Sequence, residues 1–116
     1  MKLNEVRYPG GTPIDGYGPG FVRVGGRAWE GAVLVLPSGP ASWRPHDPGP
    51  VLAAAAEIDV LLHGTGAEIA HPERAFREAL EEAGIGVEAM ATPAACRTFN
   101  VLLGEGRRVA AALLPV

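Results

Sequence analysis

The residues able to do chemistry in this chain are few and far apart. Ser38 and Ser42 are its two serines, and neither sits in the G-x-S-x-G elbow that exposes a serine nucleophile at the end of a strand. Cys96 follows Thr92-Pro93-Ala94-Ala95 and therefore falls in the first turns of a helix, where the dipole favours a thiolate; His63 or His71 would serve as its base. The bland reading is that a lone cysteine packs as a small hydrophobe, and it is adopted here. His46, His63, His71 and Cys96 have no tight metal-ligand spacing. The expectation is a protein that is not an enzyme, with no catalytic residue, metal or cofactor.

What remains is a set of polar and glycine positions suited to binding. Gly64-Thr65-Gly66 follows an apolar run and has the start of a dinucleotide fingerprint. Ile69 stands where the third small residue belongs, so a glycine-pinned turn is preferred to a nucleotide site. Thr92-Pro93 reads as an N-cap followed by proline in the first helical turn. If both segments end parallel strands they share the edge where open α/β sheets bind ligands, and free N–H groups at Thr92 would suit an anion. Against this, Thr92 caps its own helix and does nothing else. Asn100 is a poor choice for mid-helix and should bond a neighbouring loop or a partner. Arg107, in the turn Gly104-Glu105-Gly106-Arg107-Arg108, supplies a charge. The candidate ligand or interaction site is thus Gly64, Thr65, Gly66, Thr92, Asn100 and Arg107.

These positions need a scaffold, and the pattern supplies one. Phe21-Val22-Arg23-Val24, Gly25-Gly26 and Arg27-Ala28-Trp29-Glu30 read as a hairpin whose turn demands positive φ. Ala32-Val33-Leu34-Val35-Leu36 is a strand buried on both faces, ended by Pro37-Ser38-Gly39-Pro40. Residues 42–50 form a proline-rich connection, with Asp47-Pro48 opening a short helix over about 50–57. Val60-Leu61-Leu62 is a buried strand and 63–66 a tight loop. A helix from His71-Pro72 to about Ala83 carries Phe76, Ala79, Leu80 and Ala83 on one stripe, with Arg74/Glu78 and Arg77/Glu81 paired on the wet side and Gly84 behind it. The last thirty-one residues repeat the alternation: a strand over 87–90, a helix with Ala95, Phe99, Leu102 and Leu103 inward, and an apolar final strand over 109–114. Alternating strands and helices imply parallel pairing, and the hairpin makes the sheet mixed. The fold class is α/β: a single three-layer domain over 1–116 with a central mixed sheet, an N-terminal β-hairpin layer and helices packed on the sheet.

Composition narrows the partners. The 116 residues are enough for one core. Nine of the ten cations are arginines, they are scattered, and the net charge is −3, which argues against nucleic acid. No apolar run is longer than that of residues 51–56, which is far too short to span a bilayer. Residues 1–6 carry no apolar leader, and a single cysteine fits a reducing compartment, so a cytoplasmic protein is expected. Trp29, Trp43 and Tyr17, if exposed, would suit an interface with a protein partner.

From residue 14 onward the chain resembles the Mth-type domain family. The matching pieces are Ile14-Asp15-Gly16-Tyr17-Gly18, Gly64-Thr65-Gly66, Gly84-Ile85, Glu88-Ala89-Met90-Ala91-Thr92, Ala95-Cys96-Arg97-Thr98-Phe99-Asn100 and Glu105-Gly106-Arg107-Arg108-Val109-Ala110-Ala111. The sequence departs from that family at Phe99, where tyrosine is usual. The family includes a mitochondrial assembly factor for respiratory complex I and an adipogenesis-associated protein of animals. The resemblance implies a three-layer α/β fold and no established catalytic residue. It implies an unknown biochemical activity, with an assembly-factor-like interaction role by analogy. A monomer or homodimer is expected. The alternative is a small anionic-ligand binder or an unrecognised enzyme using the strand-end crevice.

Overall fold

The computed structural model describes residue 8 and residues 10–116; the leader-free reading of residues 1–6 lies outside the described residues. The chain runs β1 (Ile14–Gly18), β2 (Phe21–Val24), β3 (Arg27–Glu30), β4 (Val33–Leu36), β5 (Gly39–Ser42), α1 (Gly49–Ala53), a 3-10 turn (Ala55–Glu57), β6 (Val60–Thr65), α2 (Arg74–Glu82), β7 (Gly86–Met90), α3 (Thr92–Gly104) and β8 (Val109–Leu114).

Val109 to Leu114 explains the layering. Successive side chains of a strand point to opposite faces. Val109, Ala111 and Leu113 enter one core cluster, while Ala110, Ala112 and Leu114 face the other. A strand that is apolar at every position must be covered on both sides, and β8 lies in the middle of a five-stranded sheet ordered β5-β4-β8-β6-β7. β6 pairs parallel with β7 and β8, and β4 pairs antiparallel with β5 and β8, so the sheet is mixed. On one face lie α3 and the antiparallel sheet β1-β2-β3, closing over Ile14, Val22, Val24, Phe99 and Leu103. On the other lie α1 and α2, closing over Trp43, Val51, Phe76 and Leu80. Each such side chain contributes about 1.5–3 kcal/mol of transfer free energy on burial. The expected three-layer α/β arrangement is the one observed.

Local departures have local reasons. Ile14–Gly18 is a strand that its two glycines conceal; it is held by pairing with β2 and by α3. Gly39-Pro40 does not end the apolar run but starts the returning strand β5. Proline is tolerated because β5 is the sheet edge, where a missing N–H faces away from the ladder. His63, Gly64 and Thr65 are the end of β6 and not a loop. The α1 segment is shorter than expected, with Asp47 Oδ1 accepting from the Gly49 N–H at 2.9 Å in place of a helix cap. Helix α2 begins at Arg74, after an extended Glu73, and carries both expected arginine–glutamate pairs. Trp43 is not an exposed interface ring: it is 5% exposed, packs on Phe76 and His63, and donates its indole N–H to the Asp47 carbonyl at 3.0 Å. Phe99 is buried in the core.

Candidate functional site

Two places on α3 bear on function, and they differ in kind. The first is its N-terminal turn, beside the ends of β6 and β7. These strands are parallel, so Thr65-Gly66 and Ala91-Thr92 do share one edge. The edge is closed by the protein itself. The Thr92 N–H donates to the Gly66 carbonyl at 2.8 Å. The Thr92 hydroxyl accepts from the Gly66 N–H at 2.9 Å and donates to the Leu114 carbonyl at 2.7 Å. Thr65 Oγ1 lies 2.7 Å from the Glu68 carbonyl and 3.2 Å from that of Met90, and accepts from the Ala70 N–H at 3.0 Å. Thr92 is therefore not the N-cap; Ala91 holds that position, and Thr92 is a fully buried tie between two strand ends.

The glycines make this closure possible. A β-carbon on Gly64 would lie 2.8 Å from Leu113 Cδ2, 2.8 Å from Thr92 Oγ1 and 3.1 Å from Thr92 Cα, so only glycine lets the helix start approach the strand. Gly66 has φ +103°, a conformation that L side chains rarely adopt. The glycines of the fragmentary fingerprint serve packing between strand and helix, and Ile69, its misfit position, is 69% exposed in the loop beyond. The anion reading loses most of its donors here: the Thr92 N–H is engaged, Pro93 has none and the Ala95 N–H bonds Ala91, which leaves the single N–H of Ala94.

Asn100 and Arg107 lie elsewhere. Arg107 is exposed in the turn after α3, its N–H bonded to the Leu102 carbonyl at 2.9 Å, about 20 Å along the helix from Thr92. The six candidate residues therefore occupy three separate places. Asn100 does what a polar residue in mid-helix should do and finds a backbone partner: Oδ1 accepts from the Ile14 N–H at 2.8 Å and Nδ2 donates to the Ile14 carbonyl at 2.7 Å.

That clamp stands at the head of the second place, an open groove of about 490 Å³ between β1 and α3. Asp15, Gly16 and Tyr17 form one wall, and Pro93, Cys96 and Arg97 the other. Asp15 Oδ2 accepts from the Gly26 N–H at 2.6 Å, which fixes the β2–β3 turn against β1. Tyr17 is 42% exposed and Arg97 is exposed. Cys96 belongs to the groove but is buried, and burial pushes its thiol up to about 11, with the Arg97 charge opposing this only in part. A thiol in that state is protonated at neutral pH, opposite to the lowering expected from a helix start. His63 and His71 do not line the groove. His63 is buried on the other face of the sheet, where Nδ1 donates to the Ala112 carbonyl at 2.9 Å and desolvation lowers its pKa. Sequence reasoning missed Asp15 and Arg97, and it named Tyr17 as an interface ring without placing it beside α3. The signal for the groove's position was Asn100, out of place in a helix.

A family model described as "Protein of unknown function (DUF498/DUF598)" matches residues 14–114. The chain belongs to this family. It is 44% identical over 117 residues to an uncharacterized protein of Rhodobacter capsulatus, covering 100% of this chain and 94% of that protein. It is 34% identical over 123 residues to NADH dehydrogenase [ubiquinone] 1 alpha subcomplex assembly factor 3 of Danio rerio, covering 99% of this chain and 71% of that protein. Among solved structures it is similar to an outer membrane protein from Bartonella henselae, with TM-score 0.84 and 39% identity over 95% of this chain and 99% of that one. A Bordetella pertussis protein described as a Mth938-like domain matches with TM-score 0.76 and 31% identity, over 99% of this chain and 92% of that one. The Mth-type resemblance and the fold it implied are both met. Both groove walls fall within the matched residues. No helix among the described residues is long and apolar enough to cross a membrane.

Proposed function

We propose that this domain is a non-enzymatic interaction protein that helps a multisubunit complex assemble, with the β1–α3 groove as its working surface. The observation that carries the reading is the chemical state of that groove. Its thiol is buried and protonated, and the Asn100 amide is committed to Ile14. What is left facing outward, the Tyr17 ring and the Arg97 guanidinium, is suited to recognition, since tyrosine and arginine anchor interfaces. The similarity to the Danio rerio assembly factor runs through 99% of this chain and makes a respiratory NADH dehydrogenase the first complex to examine. The buried free thiol of Cys96 supports a reducing, cytoplasmic compartment; the description of the Bartonella relative points the other way, so cell fractionation belongs in the test.

The test is affinity purification of the tagged full chain from its own cells after mild cross-linking and fractionation into soluble and membrane fractions, with Tyr17→Ala and Arg97→Glu as comparison chains. Assembly intermediates of a membrane complex should co-purify with the unaltered chain and be depleted with either variant. Recovery of the chain alone, or of the mature complex unaffected by both variants, would overturn the reading.

A further inference from the structure

The groove says more about its occupant than the interaction reading requires. β1 is an edge strand, and an edge strand presents unpaired N–H and C=O groups. At Ile14 both groups are taken by one side chain, the Asn100 carboxamide, at 2.8 and 2.7 Å. A carboxamide carries the same donor and acceptor as a peptide unit. Asn100 therefore stands where one residue of a neighbouring strand would stand. Further along β1, Gly18 and Phe21 close the two-residue hairpin turn as a mutually bonded pair, and Gly16 pairs with Arg23. Antiparallel alternation then turns the N–H and C=O of Tyr17 outward, and the bulge between Ile14 and Gly16 puts them on the same edge that Asn100 occupies at Ile14, three residues back. Beyond Asn100 that edge opens into the groove.

The opposite wall sets the charge. Arg97 is exposed and forms no ion pair among the described residues. The groove's own carboxylate, Asp15, is turned to the Gly26 N–H. An extended backbone would satisfy Tyr17 and continue the ladder that Asn100 begins. A helix, whose backbone groups bond internally, would leave those of Tyr17 facing it unpaired.

Resting on the interaction reading, we infer that the groove takes an extended segment of a partner protein, added as a strand beside β1, with an acidic side chain of that segment set against Arg97. The experiment places a photoreactive phenylalanine analogue at position 17, and separately at position 69 as an exposed control, in the full chain in its own cells. Cross-linked peptides are sequenced, and the captured segment is synthesised for binding. The expected result is capture from position 17 of a segment bearing Asp or Glu. The synthetic segment should protect the Tyr17 amide from exchange and bind about tenfold more weakly to Arg97→Glu, with recovery when its acidic residue is changed to Lys. Arg97→Glu should keep the unaltered amide spectrum away from the groove, since position 97 is exposed. Capture from position 69 alone, or binding indifferent to Arg97→Glu, would overturn the groove assignment and leave the interaction reading intact. Self-cross-linking of two copies at position 17 would overturn the acidic segment as occupant. Capture from neither position would overturn both.

Discussion

The two ends of one stretch of α3 contrast sharply. At Thr92 every polar group named as a candidate is turned inward, and the helix start is stitched to the ends of β6 and β8. Two turns later Asn100 also spends its amide on backbone, yet beside it the surface stays concave and open. The difference lies in the neighbour. At Thr92 the helix meets a glycine, Gly64, that lets the backbones close to contact. At Asn100 it meets the edge of a separate three-stranded sheet, held off by the side chain that reaches across. A glycine beside a helix start reads like a ligand cradle, but here it removes the space a ligand would need.

Filling the closed end should have the largest effect. Gly64→Val places atoms against Thr92 Cα at 3.1 Å, which is backbone and cannot swing aside. A loss of about 3 kcal/mol of unfolding free energy, read from the fall of the urea midpoint, is expected, at the upper end for overpacking. Thr92→Val keeps the shape but removes the hydroxyl that serves Gly66 and Leu114. It should cost about 2 kcal/mol, because a buried N–H and a carbonyl lose their partner, whereas Thr92→Ser should cost less. Asn100→Ala should cost about 1.5 kcal/mol globally. Its distinguishing sign is local: amide exchange at Ile14 should rise well beyond that at Leu62, which would show β1 loosening while the central sheet holds. If Ile14 and Leu62 respond alike, the groove edge is no more independent than the closed end.

A last and smallest effect is pH. Burial lowers the folded-state pKa of His63 below its ordinary 6.5, so the unfolded chain binds the proton more readily. This contribution to stability is complete above about pH 6.5 and is lost as pH falls through that value toward the lowered one. Thermal midpoints measured from about pH 7.5 to 5 should decline, and His63→Asn should flatten the slope.

Much of the fold was legible because burial writes a period into the chain. Val33 to Leu36 and Val109 to Leu114 are apolar without interruption, which fits only strands covered on both faces. Phe76 and Leu80 at helical spacing, and Gly25-Gly26 between two alternating segments, were equally plain. Ile14–Gly18 and Gly39–Ser42 were not, because a strand rich in glycine or containing proline forms only where a partner strand and an edge position allow it. Trp43 shows the same limit. A tryptophan among prolines and charges gives no sign that Phe76 and His63 will enclose it.

The site was less legible than the fold. Asn100 betrayed itself by being wrong for its helix, but its partner lies 86 residues away. Thr92 looked like a cap because capping is a local habit; its true partners, Gly66 and Leu114, come from two other strands. The sequence by itself determined the layers, the core and the absence of a recognisable catalytic motif, since these follow from periodicity and residue chemistry within a few neighbours. Only the tertiary structure decided that the strand-end edge is closed and the β1–α3 edge open. Whether a polar group meets another backbone or faces solvent is set by which distant segments the packed sheet brings beside it.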